Sequence, residues 1–402
     1  MNSHLAHLHP YPFERLNQLK AGAVPPAHLK HIPLSIGEPK HPSPEFVKQV
    51  MINSIDKLAQ YPTTKGGIEL RQTIARWLEK RFDLGIDSMD PEQHVLPVTG
   101  TREALFAFTQ AIINSEMDTP PVVVSPNPFY QIYEGAAILA GAEPYYLDCI
   151  SEQGFIPDLT TVPEAIWQRC QLLQVCTPGN PTGAVMSIDQ LQQAIALADK
   201  YDFIIASDEC YSEVYFDEQM PPPGLLQACE QMGRHNYSRC VVFHSLSKRS
   251  NLPGLRSGFI AGDVTILKDF LRYRTYHGCA MSLSVQDASA AAWNDEQHVI
   301  HNRTMYREKF AAVTDILADV LNFPQPHASF YLWPETPIDD REFALGLFAQ
   351  QNVTIVPGQY LSRESVNGNP GKNRVRMALV ASTEECVEAA LRIRQYVQSL
   401  SN

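Results

Sequence analysis

Short apolar runs alternate with amphipathic stretches through the middle of the chain. The runs at 121–125, 172–176, 203–207, 240–243 and 258–262 are almost continuously apolar and predict buried strands. Between them, residues 187–200 and 266–276 carry apolar positions at helical spacing. Buried strands that alternate with helices predict an α/β fold, in which a mostly parallel sheet is covered by helices on both faces.

The last third of the chain has a different pattern. A long helix is predicted over 295–320, followed by strands at 329–333, 352–356 and 374–379 and a final helix over 383–400. This order is typical of a smaller α+β domain. We therefore predict an N-terminal arm that joins the small domain at 1–45, a large domain at 46–292 and a small C-terminal domain at 293–402.

Composition narrows the class of partner. Apolar residues make up 44% of the 402 positions and charged residues 19%, as in ordinary globular proteins. The net charge of -12 and the lack of a basic stripe argue against nucleic acid and anionic membranes as partners. No apolar run reaches the length of a membrane span.

Cysteine and histidine usage predicts a cytoplasmic protein without a metal. The eight cysteines include no C-x-x-C pair and are typical of reduced core thiols in a cytosolic chain. His4, His7 and His9 form the only histidine cluster, and they lack the close Cys/His spacing of zinc sites.

The run at 243–256, FHSLSKRSNLPGLR, carries the strongest chemical signal. Lys248 lies between small hydroxyl residues, and Arg256 follows eight positions later. A lysine amine can form a Schiff base with an aldehyde, and a guanidinium can bind a phosphate. The pair predicts a site for pyridoxal phosphate, which offers both groups.

Three further polar residues follow predicted strands, where ligands bind in open α/β sheets. They are Asn180, Asp208 and Ser245. A buried carboxylate at 208 would keep the cofactor's pyridine nitrogen protonated, whereas the alternative is a helix cap. Asn180 and Tyr211 would bind the ring oxygen, whereas the alternative for Asn180 is an Asn-Pro turn.

Other parts of such a site are spread along the chain. Thr101 and Arg102 open a helix after a strand and predict a phosphate cradle, with a plain N-cap as the alternative. Tyr130 is suited to stacking on a flat ring, although an aromatic beside prolines is often core. Arg376 is suited to binding a substrate carboxylate, although a surface ion pair is the alternative for a single arginine. Their joint occurrence favours the site.

Together these residues resemble the fold-type-I, class I/II aminotransferases related to aspartate aminotransferase, from 34–39 to Arg376. The resemblance implies a mostly parallel seven-stranded sheet between helices in a large domain, a small α+β domain and a homodimer. It implies the following roles: Lys248 as Schiff-base lysine and proton shuttle, Asp208 at the pyridine nitrogen, Asn180 and Tyr211 at the ring oxygen, Tyr130 on the ring, Thr101, Arg102, Ser245 and Arg256 at the phosphate with Ser247 close by, Gly37, Asn180 and Arg376 at the substrate α-carboxylate, and Tyr61 reaching the phosphate in the neighbouring subunit.

A narrower resemblance concerns the substrate. The stretches 10–16, 34–42, 127–136, 249–254 and 273–281 are similar to bacterial N-succinyldiaminopimelate aminotransferases of lysine biosynthesis. This implies ping-pong transfer of an amino group from N-succinyl-LL-2,6-diaminopimelate to 2-oxoglutarate. Departures at 282–284 and 328–329 lie near the expected path of the substrate tail. Aminotransferases for aspartate, aromatic amino acids or acetylornithine, and a lyase that uses the same cofactor, stay open as alternatives.

The succinylated substrate would need a second anion-binding residue besides Arg376. Arg102, Arg272, Arg274 and the surface of the second subunit are the candidates. The aromatic neighbours of Arg274 favour it among them, and a structural ion pair is the stronger alternative for this residue.

Overall fold

The structure is a computed structural model that describes residues 1–400. Its strands are β1 Ile32–Pro33, β2 Val95–Val98, β3 Val122–Asn127, β4 Glu143–Asp148, β5 Cys170–Cys176, β6 Ile204–Asp208, β7 Cys240–Ser245, β8 Gly258–Gly262, β9 Tyr331–Leu332, β10 Val353–Thr354, β11 Val356–Pro357 and β12 Val375–Ala378. Its α-helices are α1 Pro12–Lys20, α2 Glu45–Asn53, α3 Ile68–Phe82, α4 Thr101–Ile112, α5 Ile132–Leu139, α6 Glu164–Trp167, α7 Ile188–Tyr201, α8 Leu225–Gln231, α9 Leu246–Arg249, α10 Val264–His277, α11 Leu283–Asn294, α12 Gln297–Leu317, α13 Asp340–Gln351 and α14 Thr383–Leu400.

A seven-stranded sheet in the order β2-β8-β7-β6-β5-β3-β4 forms the centre of the larger part. Only β8 runs antiparallel to its neighbours in this sheet. Every residue of β3, β7 and β8 is buried, as expected for strands covered on both faces. The predicted α/β fold with a mostly parallel seven-stranded sheet is confirmed.

Two layers of helices cover the sheet. One layer packs side chains of α3, α7, α8 and α11 against one face, and α4, α5 and α10 pack against the other. Phe108 and Phe270 are fully buried in the second layer with ring centroids 5.3 Å apart. Removing a large apolar side chain of this kind from water stabilises the fold by about 1.5–3 kcal/mol.

The smaller part contains a three-stranded antiparallel sheet, β11-β12-β9, and the parallel pair β1-β10. Its core joins α12, α13 and α14 to Ile32 and Leu34 from the N-terminal region. The exact domain boundaries stay a prediction. Within residues 1–400, no helix combines the length and the apolar character needed to cross a bilayer.

Two predicted strands of the last third differ from the structure. The sequence predicts one strand over 352–356, but Val353–Thr354 pairs with β1 while Val356–Pro357 pairs with β12. The chain changes sheets at Ile355, which an apolar run cannot reveal because both halves are buried. The strand predicted over 329–333 is confined to Tyr331–Leu332, and Ser329 has a φ of 79°, which is incompatible with extended backbone.

Candidate active site

The carboxyl ends of the parallel strands open into a cavity of about 530 Å³, a size typical of small-molecule sites. Twelve of the thirteen predicted site residues line it: Gly37, Thr101, Arg102, Tyr130, Asn180, Asp208, Tyr211, Ser245, Ser247, Lys248, Arg256 and Arg376. Tyr61 does not line it, and its side chain is fully exposed in the single chain. The sequence-based grouping therefore corresponds to one place in the fold.

Lys248 is carried by the short helix α9 at the end of β7. The Ser245 side chain caps this helix by accepting a hydrogen bond from the Ser247 backbone N–H at 3.1 Å. The Lys248 amine donates to the Gly37 carbonyl oxygen at 2.5 Å and lies 5.3 Å from the centre of the Phe330 ring. Burial lowers the pKa of this amine to about 8, so a larger fraction of it is unprotonated and nucleophilic at neutral pH than for an ordinary lysine.

This pKa predicts how the protein takes up an aldehyde. We expect the rate constant for pyridoxal phosphate uptake by the cofactor-free protein to rise as pH approaches about 8 and to level off above it. The reason is that only the unprotonated amine attacks an aldehyde, and a lowered pKa makes that form abundant at a lower pH. Stopped-flow absorbance measures the rate, and a Lys248→Ala variant supplies the non-covalent background. A rate that still climbs until the ordinary lysine pKa of 10.5 would contradict the prediction.

Asp208 ends β6 and is buried at the floor of the cavity. Tyr133 donates its hydroxyl hydrogen to one carboxylate oxygen at 2.7 Å, and the Cys210 backbone N–H donates to the other at 3.2 Å. Burial raises the pKa of Asp208, and these hydrogen bonds oppose the rise. In residues 1–400 no lysine or arginine forms an ion pair with it, so a protonated pyridine nitrogen fits the unpaired carboxylate.

The phosphate side of the cavity requires a residue without a side chain at position 100, which is Gly100. Gly100 has a φ of 94°, and a Cβ there would clash with the Arg256 guanidinium. The next residue, Thr101, begins α4, so the first backbone N–H groups of this helix have no partners within the helix. Free N–H groups, the helix dipole and a guanidinium together fit a phosphate dianion.

Gly100→Ala is expected to weaken pyridoxal phosphate binding by about tenfold or more. The new methyl group would displace Arg256, and alanine is strained at this φ. Fluorescence titration of the cofactor-free variant measures the effect. Gly254→Ala is the matched control, because Gly254 also lines the cavity but a Cβ there meets no atom within 4 Å. Equal cofactor affinity in the two variants would contradict the prediction.

Arg376 lines the cavity from β12, in the smaller part of the chain. It donates to the Asn180 side-chain oxygen at 3.0 Å and to the Ser35 carbonyl at 2.8 Å. Its Nε is buried without a hydrogen-bond partner among the described residues. A buried guanidinium with an unused donor at a cavity wall fits a carboxylate ligand.

Sequence reasoning missed several residues in or next to the cavity: Tyr11, Glu38 and Tyr331 line it, whereas Tyr133 lies outside the lining. Tyr133 supports Asp208, and Tyr331 places its hydroxyl 3.1 Å from that of Tyr211. Tyr11 reaches Arg102 from the N-terminal arm, and Glu38 adds a second carboxylate to the lining. Tyr133 lies in α5 but Tyr130 precedes this helix, so helical spacing could not link the two residues in the sequence.

The favoured anion-binding candidate of the sequence analysis, Arg274, is unsuitable in this structure. Its side chain is fully buried and donates to Glu103 at 2.6 Å. Glu103 also lies near His277 and Cys279, where the three possible metal-ligand atoms are within 4.8 Å of one another. The ion pair with Arg274 occupies this carboxylate, and none of the four residues lines the cavity.

Comparison with known proteins identifies the family. The model of the family described as aminotransferase class I and II matches residues 30–393. This chain belongs to the class I and II aminotransferases. The predicted family, the use of pyridoxal phosphate and amino-group transfer between small molecules are thereby confirmed.

Individual relatives of this aminotransferase differ in their named substrates. The LL-diaminopimelate aminotransferase of Nitratidesulfovibrio vulgaris is 30% identical over 396 residues, which cover 97% of each chain. The crystal structure of an aminotransferase from Neisseria meningitidis covers both chains fully, with 49% identity and a TM-score of 0.94. The probable N-succinyldiaminopimelate aminotransferase of Thermus thermophilus is 28% identical with a TM-score of 0.84, over 96% of this chain and 99% of that one.

Proposed function

We propose that this aminotransferase moves the amino group of N-succinyl-LL-2,6-diaminopimelate to 2-oxoglutarate, yielding N-succinyl-2-amino-6-oxopimelate and glutamate, as a succinyldiaminopimelate transaminase in lysine and diaminopimelate biosynthesis. The observation that carries the proposal is the single cavity, which joins Lys248 and the buried Asp208 to the guanidinium groups of Arg102, Arg256 and Arg376. Such a cavity suits an anionic cofactor and a substrate with more than one carboxylate. Two named relatives act, by their names, on compounds of the diaminopimelate type.

The cofactor side of the site follows from the residues described above. Arg256, Ser245, Ser247 and the N–H groups at Thr101 and Arg102 would hold the phosphate. Asp208 would hold the pyridine nitrogen in its protonated form, with Asn180 and Tyr211 at the ring oxygen and Tyr130 on the ring. Bound pyridoxal phosphate supplies an electron-withdrawing ring that stabilises the negative charge left when the substrate α-carbon loses a proton.

The substrate side uses Arg376 and Lys248. Arg376, oriented by Asn180 and by the Ser35 carbonyl, would hold the α-carboxylate together with the backbone at Gly37. Fixing this carboxylate would orient the α-hydrogen toward the Lys248 amine. That amine would accept the proton from the α-carbon and return it on the far side of the transferred nitrogen, since its pKa of about 8 suits both directions near neutral pH.

LL-Diaminopimelate itself is the second candidate donor. The observation in its favour is the named activity of the relatives that are 30% identical over almost the full chain. The two donors differ at the distal nitrogen, which is an ammonium in LL-diaminopimelate and an amide that carries a further carboxylate in the succinylated compound. With Arg256 assigned to the cofactor phosphate and Asp208 to the pyridine nitrogen, Arg102 and Arg376 remain against Glu38, which favours the donor with the larger negative charge.

A substrate panel tests the assignment. Steady-state kcat/KM is measured with 2-oxoglutarate as acceptor and, as donors, N-succinyl-LL-diaminopimelate, LL-diaminopimelate, aspartate, phenylalanine and acetylornithine. We expect the succinylated donor to exceed each of the others by about tenfold or more. A higher value for any other donor would refute the assignment, and release of pyruvate from cystathionine would indicate the lyase alternative.

We also propose that the protein works in the cytoplasm as a homodimer. In this dimer Tyr61 approaches the phosphate site of the partner subunit. Its support in this chain is the complete exposure of a large aromatic side chain beside the exposed apolar residues Ile55 and Leu58. Light scattering of the purified protein checks the mass. A monomer at micromolar concentration would refute the shared-site arrangement.

A further inference from the structure

One guanidinium group of the cavity, that of Arg102, has not yet been assigned to a particular anion of the cofactor or substrate. Four cationic side chains line it, Arg102, Lys248, Arg256 and Arg376, against the carboxylates of Glu38 and Asp208. In the proposed function Lys248 moves the proton, Arg256 binds phosphate and Arg376 binds the α-carboxylate. The side chain of Arg102 has no anionic partner in that account.

Arg102 is held in place by neutral groups. Its Nε donates to the Tyr130 hydroxyl at 2.8 Å, and its Nη2 donates to the Tyr11 hydroxyl. These two bonds use two of the five N–H donors of a guanidinium. No carboxylate in residues 1–400 forms an ion pair with it. The side chain therefore keeps its full charge while its direction is fixed, which lowers the entropy cost of binding an anion.

Arg102 lies at the mouth of the cavity. The residue is exposed, whereas Asp208 on the floor of the same cavity is buried. Tyr11 belongs to the N-terminal arm and Tyr130 lies just before α5, so the guanidinium is clamped between two separate segments. A ligand whose reacting carbon is at Lys248 would bring only the end of its side chain to this clamp.

The other arginines considered for this purpose are excluded by the structure. Arg274 is fully buried and paired with Glu103. Arg272 is exposed on α10 and does not line the cavity. Arg102 is thus the remaining cavity arginine with unused donors and no assigned anion.

We infer that the Arg102 side chain, clamped by Tyr11 and Tyr130, binds the side-chain carboxylate of the amino donor. The inference rests on the proposed function and assigns the site to α-amino acids whose side chain carries a carboxylate, a class that includes both diaminopimelate donors. The backbone N–H of Arg102, at the first turn of α4, remains available to the cofactor phosphate. One residue thereby serves the phosphate through its backbone and the substrate through its side chain.

Binding of a non-reacting dicarboxylate tests the inference directly. Isothermal titration calorimetry is performed on the cofactor-loaded enzyme with pimelate, and with heptanoate, which has the same chain length but one carboxylate. In Arg102→Gln we expect pimelate to bind about 10- to 100-fold more weakly, while heptanoate binding is unchanged. Tyr11→Phe should weaken pimelate binding in the same direction by a smaller factor, because it only loosens the guanidinium.

Controls separate this role from two others. Arg272→Gln removes an exposed arginine of α10 outside the cavity and should leave both affinities unchanged. The pyridoxal phosphate affinity of Arg102→Gln is measured by fluorescence titration, and pimelate is titrated with the cofactor site saturated in each variant. Unchanged pimelate affinity in Arg102→Gln under these conditions, or an equal loss of heptanoate affinity, would overturn the inference.

The outcome is independent of the succinyl assignment. If the unmodified enzyme fails to use either diaminopimelate donor but pimelate binding still depends on Arg102, the carboxylate subsite stands and the proposed substrate falls. If the enzyme uses the succinylated donor but pimelate binding does not depend on Arg102, the proposed substrate is supported and the carboxylate subsite at Arg102 is refuted.

Discussion

Replacing Lys248 with alanine is expected to lower kcat by more than about 10⁴-fold while leaving the fold intact. The same amine would both attach the cofactor and carry the proton, so no neighbouring group replaces it. The fold should tolerate the change, because it removes an amine whose pKa is lowered to about 8 by burial. Its hydrogen bond to the Gly37 carbonyl is the main polar contact that is lost.

Single-turnover kinetics and thermal unfolding together check this expectation. Lys268→Ala is the matched control, because it removes an exposed lysine on α10 outside the cavity and should retain full activity. A Lys248→Ala protein that turns over at near-normal rate would refute the role of this residue. Loss of its thermal transition would contradict the expectation that the fold stays intact.

Replacing Asp208 with asparagine is expected to lower kcat by at least about 10²-fold. Asparagine keeps the size and one acceptor oxygen but removes the negative charge that would hold the pyridine nitrogen protonated. The Tyr133 hydroxyl still has an acceptor at this position, whereas the Cys210 backbone N–H loses its acceptor where the amide nitrogen replaces the second oxygen. Asp269→Asn, an exposed change on α10, is the matched control.

The same variant has a predictable effect on stability. Burial raises the pKa of Asp208 in the cofactor-free fold, so its ionisation disfavours that fold at every pH above the ordinary value of 3.8. The stability of Asp208→Asn relative to the unmodified cofactor-free protein should therefore rise as pH increases above 3.8, on top of a pH-independent loss of the hydrogen bond from Cys210. Urea unfolding at acid and at neutral pH measures this difference. A difference that falls as pH rises would contradict the expectation for stability, and a normal kcat would contradict the expectation for activity.

The sequence predicted the large sheet well because its strands are buried on both faces. Runs such as Cys240–Ser245 and Gly258–Gly262 have no competing helical pattern and were located within two residues. The edge strand Glu143–Asp148 was missed, since its mixed burial removes the continuous apolar signal. The segment 352–356 was wrong for a different reason, because pairing partners are set by distant residues.

The common location of the site residues was predictable from local motifs, as at Lys248, Asp208 and Arg256, while their roles stay predictions. The site was not predictable where an interaction joins distant positions. Arg274 was favoured as an anion-binding residue because Glu103, 171 positions away, is invisible as its partner in the sequence. Tyr11 likewise reaches Arg102 across 91 positions. The spacing of residues within a segment indicates its secondary structure and its local motifs. The partner of a charged side chain depends on the tertiary structure, which brings distant segments together.

The most direct test of the central claim is a half-reaction. The purified, cofactor-loaded enzyme is mixed with N-succinyl-LL-diaminopimelate in the absence of any oxo acid, and the absorbance spectrum of the bound cofactor is followed. We predict that the cofactor passes completely from its aldehyde form to its amine form and that 2-oxoglutarate reverses the change. An unchanged spectrum with this donor, while glutamate still converts the cofactor, would contradict the proposed substrate.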